Sequence, residues 1–162
     1  MSGSYLAAVD MTLLMPELIE AYVDLAEQLQ QTTGIVYRAY MGYRTPQEQA
    51  RLYDNYKAGK GGKAAPAWQS AHQWGIAIDV QPYNPGPTWD ERAYQPLWAA
   101  LGTHPTLRTG REFADGPHVE YRNPDGAWSA SRLAALPRVG SGELAGRAWP
   151  LIRRLTGANP AT

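Results

Sequence analysis

The segment Ser70-Ala71-His72-Gln73-Trp74-Gly75-Ile76-Ala77-Ile78-Asp79 constrains this chain more than any other stretch. From Ile76 onward the side chains alternate. Ile76, Ile78 and Val80 take one face of a strand, and Ala77, Asp79 and Gln81 take the other. The first face needs a core. The second sets a carboxylate on an open face beside a small residue. His72 enters just ahead of the strand, and Gly75 permits a sharp approach between them. A histidine and an aspartate can therefore converge on one point.

A second segment, Asp115-Gly116-Pro117-His118-Val119-Glu120-Tyr121, repeats the theme. His118 and Glu120 share one face, and Val119 and Tyr121 the other. If the two strands are neighbours in one sheet, His118 can meet His72 and Asp79. Two imidazoles and one carboxylate leave a tetrahedral zinc with an open fourth position, as in a catalytic site. The chain has no cysteine and only three histidines, so any zinc must be held by His, Asp and Glu. The same donors would also take other borderline divalent ions. Each residue has a duller reading as well. A histidine near a tryptophan can be a packed side chain, Asp79 can close a strand, and Asp115 can shape the Asp-Gly-Pro turn. Spacing alone leaves both readings open.

The rest of the chain supplies elements for a small domain. Residues 16–30 carry Leu18, Tyr22, Leu25, Ala26 and Leu29 at helical spacing behind Pro16, and Thr32, Thr33 and Gly34 are expected to stop that helix. Residues 35–41 read as a strand. Thr45, Pro46 and Glu48 form a capping box for a second helix ending near Lys57, with Ala50, Leu52, Tyr53 and Tyr56 available to pack. Residues 58–69 form a Gly-rich loop with lysines. Its spacing is not that of a phosphate-binding loop, and a lid beside a binding groove suits it better. Residues 76–81 read as a strand and 82–87 as a turn-rich connection. Thr88 and Glu91 make a second capping box opening a helical stretch to Leu101, with Pro96 expected to kink or split it. Short strands follow near 107–109 and 118–121. In the tail 137–162, Leu144, Ala148, Leu151 and Leu155 suit a packed helix interrupted by Pro150.

Fifteen basic residues balance fifteen acidic ones, so charge gives no reason to expect nucleic acid or an anionic membrane as partner. Six Trp and ten Tyr against one Phe is an unusual balance. Such rings suit a peptide or sugar ligand, and they also suit a small core and its rim. Trp68 and Trp74, flanking the metal segment, can line a groove or wall the core. Residues 1–10 show neither a basic n-region nor a long apolar run, so neither a signal peptide nor a membrane anchor is expected.

The pattern Ser70-x-His72-x-x-Gly75-x-Ala77-x-Asp79, followed by Asp115-x-x-His118, resembles the VanY/VanX-type zinc peptidases. It looks closest to their phage-type L-alanyl-D-glutamate endopeptidases (endolysins). Upstream, Tyr43-Arg44-Thr45-Pro46-x-x-Gln49 is similar to that family's Tyr-Arg-Ser/Thr-x-x-x-Gln segment. The resemblance spans about residues 35 to 121, in order. It implies His72, Asp79 and His118 as zinc ligands and Asp115 as the acid/base. It implies Arg44 as the group that steadies the substrate carbonyl and its developing oxyanion, and Ser70 as a groove-lining serine. Glu120 competes for the base role or holds an imidazole from behind, Glu112 reads as solvated, and His104 matches nothing.

The resemblance implies an α+β fold of the Hedgehog/D-Ala-D-Ala-peptidase kind, a small antiparallel sheet with helices on one face and the zinc site on the other. The expected domains are 1–136, catalytic, and 137–162, an extension packed on it. The expected function is zinc-dependent hydrolysis of a peptidoglycan stem peptide at L-alanyl-D-glutamate, by a monomer. The expected setting is a phage or prophage enzyme, made in the host cytoplasm and reaching the wall after holin-type release. A D-alanyl-D-alanine carboxypeptidase or dipeptidase is the alternative within the class, and a zinc-containing module without catalysis is the alternative outside it.

Overall fold

A computed structural model describes residues 5–122. The tail expected to form a C-terminal helix lies outside the described residues. Three α-helices, α1 (Pro16–Thr33), α2 (Pro46–Lys57) and α3 (Glu91–Gly102), accompany four strands. The strands are β1 (Val36–Met41), β2 (Ala77–Tyr83), β3 (Leu107–Thr109) and β4 (His118–Tyr121). The strands form one antiparallel sheet in the order β1-β2-β4-β3. The α+β architecture expected from the sequence is the one observed.

Alternation along β2 builds the core. Ile76, Ile78 and Val80 are fully buried, together with Val119 and Leu107 from the neighbouring strands. Leu18, Tyr22, Leu25, Ala26 and Leu29 of α1 and Tyr94, Leu97, Trp98 and Leu101 of α3 join them in one cluster. Tyr22 and Tyr37 are fully buried, and each donates its hydroxyl to a backbone carbonyl, of Tyr37 and Ala93 respectively. A buried phenol without such an acceptor would be costly. Among the described residues no helix is long and apolar enough to cross a membrane.

Three local expectations need correction. Helix α1 continues through Thr32 and Thr33, whose hydroxyls bond back to the carbonyls of Gln28 and Leu29. The stop is Gly34, in the left-handed conformation that glycine adopts cheaply. Helix α2 has its expected capping box, but its buried residues are Pro46 and Gln49. Tyr56 is 41% exposed, and Ala50, Leu52 and Tyr53 are only half-buried, so α2 sits at the rim. Helix α3 starts two residues later than Thr88 would set it. Asp90 is the cap, accepting from the Arg92 N–H, while Thr88 accepts from the Asp90 N–H. It then runs unbroken through Pro96 to Gly102.

Candidate metal centre and active site

The sheet register decides the site. Asp79 of β2 stands directly opposite His118 of β4. Because side chains repeat every two residues, this pairing puts both on the face away from the helices. His72 comes from a short 3-10 turn, Ala71–Trp74, whose cap is Ser70. Gly75, at φ 68°, ends that turn and swings the chain into β2.

The three side chains meet. His72 Nε2 lies 3.2 Å from Asp79 Oδ1, and His118 Nδ1 lies 3.5 Å from the same oxygen. One donor atom from each residue falls within 4.8 Å of the others. Zinc bonds of about 2.0–2.1 Å at tetrahedral angles set donor atoms roughly 3.3–3.4 Å apart, which these two distances bracket. All three residues are buried. Asp79 Oδ1 and His118 Nδ1 are buried with no hydrogen-bond partner, a costly arrangement for a core and the expected one for a cation site.

The remaining ring nitrogens are committed. His72 Nδ1 is 2.7 Å from the Gly42 carbonyl oxygen, which fixes the proton there and presents Nε2 to the centre. His118 Nε2 is 2.8 Å from Glu120 Oε2, which leaves Nδ1 as its donor atom. Glu120 is itself buried, and its Oε1 lies 2.9 Å from Arg108 Nε. Burial alone would push the Asp79 carboxyl up, yet the imidazoles of His72 and His118 hold it well below the usual carboxylate range. Burial alone would push His118 down, yet the carboxylates of Asp79 and Glu120 raise it to about 10. A cation and a proton compete for the same Nδ1.

The other site residues surround this centre. Asp115 Oδ2 is 3.8 Å from His118 Nδ1, and its side chain is 46% exposed. Its pKa is raised, chiefly by burial and further by the Asp79 charge, against the opposing pull of His118, His72 and Arg44. The loop carrying it is tied down at Gly110, which takes the Asp115 N–H on its carbonyl and gives its own N–H to the His118 carbonyl. A Cβ at position 110 would fall 2.6 Å from both the Asp115 carbonyl oxygen and His118 Cβ, so only glycine fits. Arg44 is mostly buried and lies 3.5 Å from Asp79 Oδ2. The Ser70 hydroxyl accepts the His72 N–H at 3.3 Å.

One contributor was given no role by the sequence. Gln49 is buried, receives Arg44 Nη1 at 2.8 Å and Gln73 Nε2 at 3.2 Å, and donates to the Ala65 carbonyl. It thereby orients Arg44 and pins the loop after α2. Its only mark in the sequence is its place in the Tyr-Arg-Thr-x-x-x-Gln segment. Trp74 is fully buried and edge-on to Trp68, so this pair walls the core. Glu112 is exposed, and His104 sits apart at the end of α3.

Comparison with known proteins agrees with this geometry. The family model described as VanY, D-alanyl-D-alanine carboxypeptidase, matches residues 11–98, more than half of the chain. That span contains His72 and Asp79, and the sheet register adds His118. No curated protein sequence matches. Among solved structures, the Serratia marcescens L-Ala D-Glu endopeptidase ChiX superposes with a TM-score of 0.50 at 22% identity, covering 71% of this chain and 85% of its own. The D,D-pentapeptidase VanY of a VanB-type vancomycin resistance cassette, an E175A mutant solved with Zn(II), gives 0.52 at 17% identity, covering 70% and 75%. With the matched span and the His-Asp-His centre both in place, the chain belongs to the VanY D-alanyl-D-alanine carboxypeptidase family and is a peptidase with a site able to hold zinc.

Proposed function

We propose that this protein is a zinc-dependent peptidoglycan endopeptidase that cuts the L-alanyl-D-glutamate bond of stem peptides. The observation that carries the peptidase chemistry is the cross-strand pairing of Asp79 with His118, with Asp115 3.8 Å from the donor nitrogen. Bound zinc supplies a water of lowered pKa and polarises the scissile carbonyl. Asp115 takes the proton of the attacking water and passes it to the leaving amine. Its raised pKa suits it to hold that proton between the two steps. Glu120 is disfavoured as the base because both its oxygens are engaged, by His118 and Arg108, and it is buried. Arg44, steadied by Gln49, provides positive charge where the oxyanion develops. Ser70, with its hydroxyl hydrogen left to donate, lines the groove.

The choice of bond rests on the motif resemblance. A D-alanyl-D-alanine carboxypeptidase is the second reading, favoured by the description of the matching family model. Digestion of purified muropeptides followed by mass spectrometry separates them. A new N-terminal D-glutamyl product supports the endopeptidase, and released D-alanine supports the carboxypeptidase. Asp115→Asn should lower kcat by about 10²–10⁴-fold with zinc content intact, and unchanged kcat would remove Asp115 from its role. A chain that binds zinc but cuts neither bond would be a binding module.

The endolysin role is part of the same proposal and follows the motif resemblance. Cells expressing the protein should lyse only when the inner membrane is permeabilised, and lysis without permeabilisation would sink this mode of delivery.

A further inference from the structure

The face of the sheet that carries the metal ligands continues beyond them. Arg38 of β1 pairs with Gln81 of β2, and the ladder is irregular between Ala39 and Met41, which bracket Tyr40. Arg38, Tyr40, Gln81 and Tyr83 border a cavity of about 160 Å³. Tyr40 packs edge-on against Trp89, with ring centroids 5.6 Å apart. Tyr40 is 41% exposed and Trp89 61%, so this pair is not core. The Arg38 guanidinium lies 4.5 Å over the Tyr83 ring and has no carboxylate partner among the described residues.

This combination selects a ligand chemistry. Exposed Tyr and Trp rings offer apolar faces with polar tips. The Arg38 guanidinium and the Gln81 amide add hydrogen-bond donors. A pyranose with an acetamido group matches both, with an apolar C–H face and a rim of hydroxyl and amide oxygens.

For a stem whose sugar-bearing end runs along β2 toward Tyr83, distance narrows the choice further. A strand rise of about 3.3–3.4 Å per residue sets Gln81 roughly 7 Å and Tyr83 roughly 13 Å along β2 from Asp79. In a stem cut between L-alanine and D-glutamate, one residue and a lactyl link separate the scissile bond from the muramyl sugar. That is about two residue lengths, roughly 7 Å. For a terminal D-alanyl-D-alanine bond four residues intervene, and the sugar would lie beyond this patch.

We propose that Tyr40, Trp89 and Arg38 form a saccharide subsite holding the N-acetylated muramyl sugar of the strand whose stem peptide is cut. This rests on the L-alanyl-D-glutamate reading for the length of the link. The enzyme is then a reader of glycan-attached stems, and peptides already released from sugar are its poorer substrates.

The test compares kcat/KM on a disaccharide-tetrapeptide with that on the same tetrapeptide without sugar. The unmodified protein should prefer the sugar-bearing substrate through a lower KM. Trp89→Ala and Arg38→Gln should each shrink that preference on the order of fivefold, and Trp89→Phe should keep most of it. Absence of a preference in the unmodified protein, or equal loss on both substrates in Trp89→Ala, overturns the subsite. A preference for cross-linked peptide with none for sugar does the same. If neither substrate is cut at L-alanyl-D-glutamate, the reading of the bond fails, and the subsite is judged by N-acetylglucosaminyl-N-acetylmuramic acid alone. Saturable shifts of the Trp89 indole NMR signal, with binding weakened in Arg38→Gln, keep the subsite. Absence of saturable binding removes it.

Discussion

Gly42 contributes one carbonyl oxygen, and that oxygen decides which nitrogen His72 turns toward Asp79 and His118. No reading of residue types finds it, because a backbone acceptor has no letter of its own. The ligands were legible for the opposite reason. His72, Asp79 and His118 are chemically distinctive, and alternation fixes the face that Asp79 and His118 occupy. Glu120 is intermediate, since its face was predictable and its pairing with Arg108 was not. Replacing it by Gln removes the charge that accepts from His118, and zinc affinity should fall about 10–100-fold in chelator competition. His104 lies away from the site and matched no motif, yet its Nδ1 accepts the N–H groups of both Thr106 and Leu107. Burial and the Arg122 charge lower its pKa below the ordinary 6.5. The unfolded chain therefore takes up this proton more readily than the folded one. The stability His104 contributes is complete above about pH 6.5 and is lost as pH falls from there through the folded value. His104→Asn, which keeps an acceptor and cannot titrate, should flatten that part of a urea-midpoint-against-pH profile. An unaltered slope would refute the assignment.

Between the elements, loops set the geometry of the candidate site. The 110–118 segment brings Asp115 and His118 together by folding tightly over Gly110. Gly110→Ala must displace either the Asp115 carbonyl or His118. A loss of about 1–3 kcal/mol in chemical denaturation is expected, with weaker zinc binding. Thr45→Ala should act differently. It removes the hydroxyl that caps α2, costing about 1 kcal/mol, and it should leave zinc affinity intact because no ligand sits on that helix. Sequence patterns located this capping box well, since Thr45, Pro46 and Glu48 admit one arrangement. They misplaced the start of α3 because Thr88 and Asp90 are both good caps, and the hydrogen bonds actually made decide between them. They also overrated the apolar side of α2. Tyr53 and Tyr56 have helical spacing but contact each other and Lys57 at the rim instead of entering the core, and periodicity reports a stripe without reporting what faces it.

At the scale of the whole molecule, what the sequence left open was adjacency. Nothing in the spacing between Asp79 and His118 requires their strands to be neighbours. The sheet order β1-β2-β4-β3, in which β2 and β4 are neighbours although α3 and β3 separate them along the chain, supplies it. The motif resemblance had anticipated the outcome without giving its cause. A ligand that binds only the assembled site stabilises the whole fold. Zinc at a hundred times its Kd should therefore add about 2.7 kcal/mol, and chelation should lower Tm by the corresponding amount. A Tm indifferent to chelator would mean that the site is not coupled to folding. The Asp79–His118 register has one more consequence. A slip of a single residue between β2 and β4 would turn one ligand inward while leaving the other outward. Chains that misassemble should thus lack both metal and activity, and zinc stoichiometry in a refolded preparation becomes a head-count of correctly threaded molecules. The register that shapes the fold would in this way also be what arms the site.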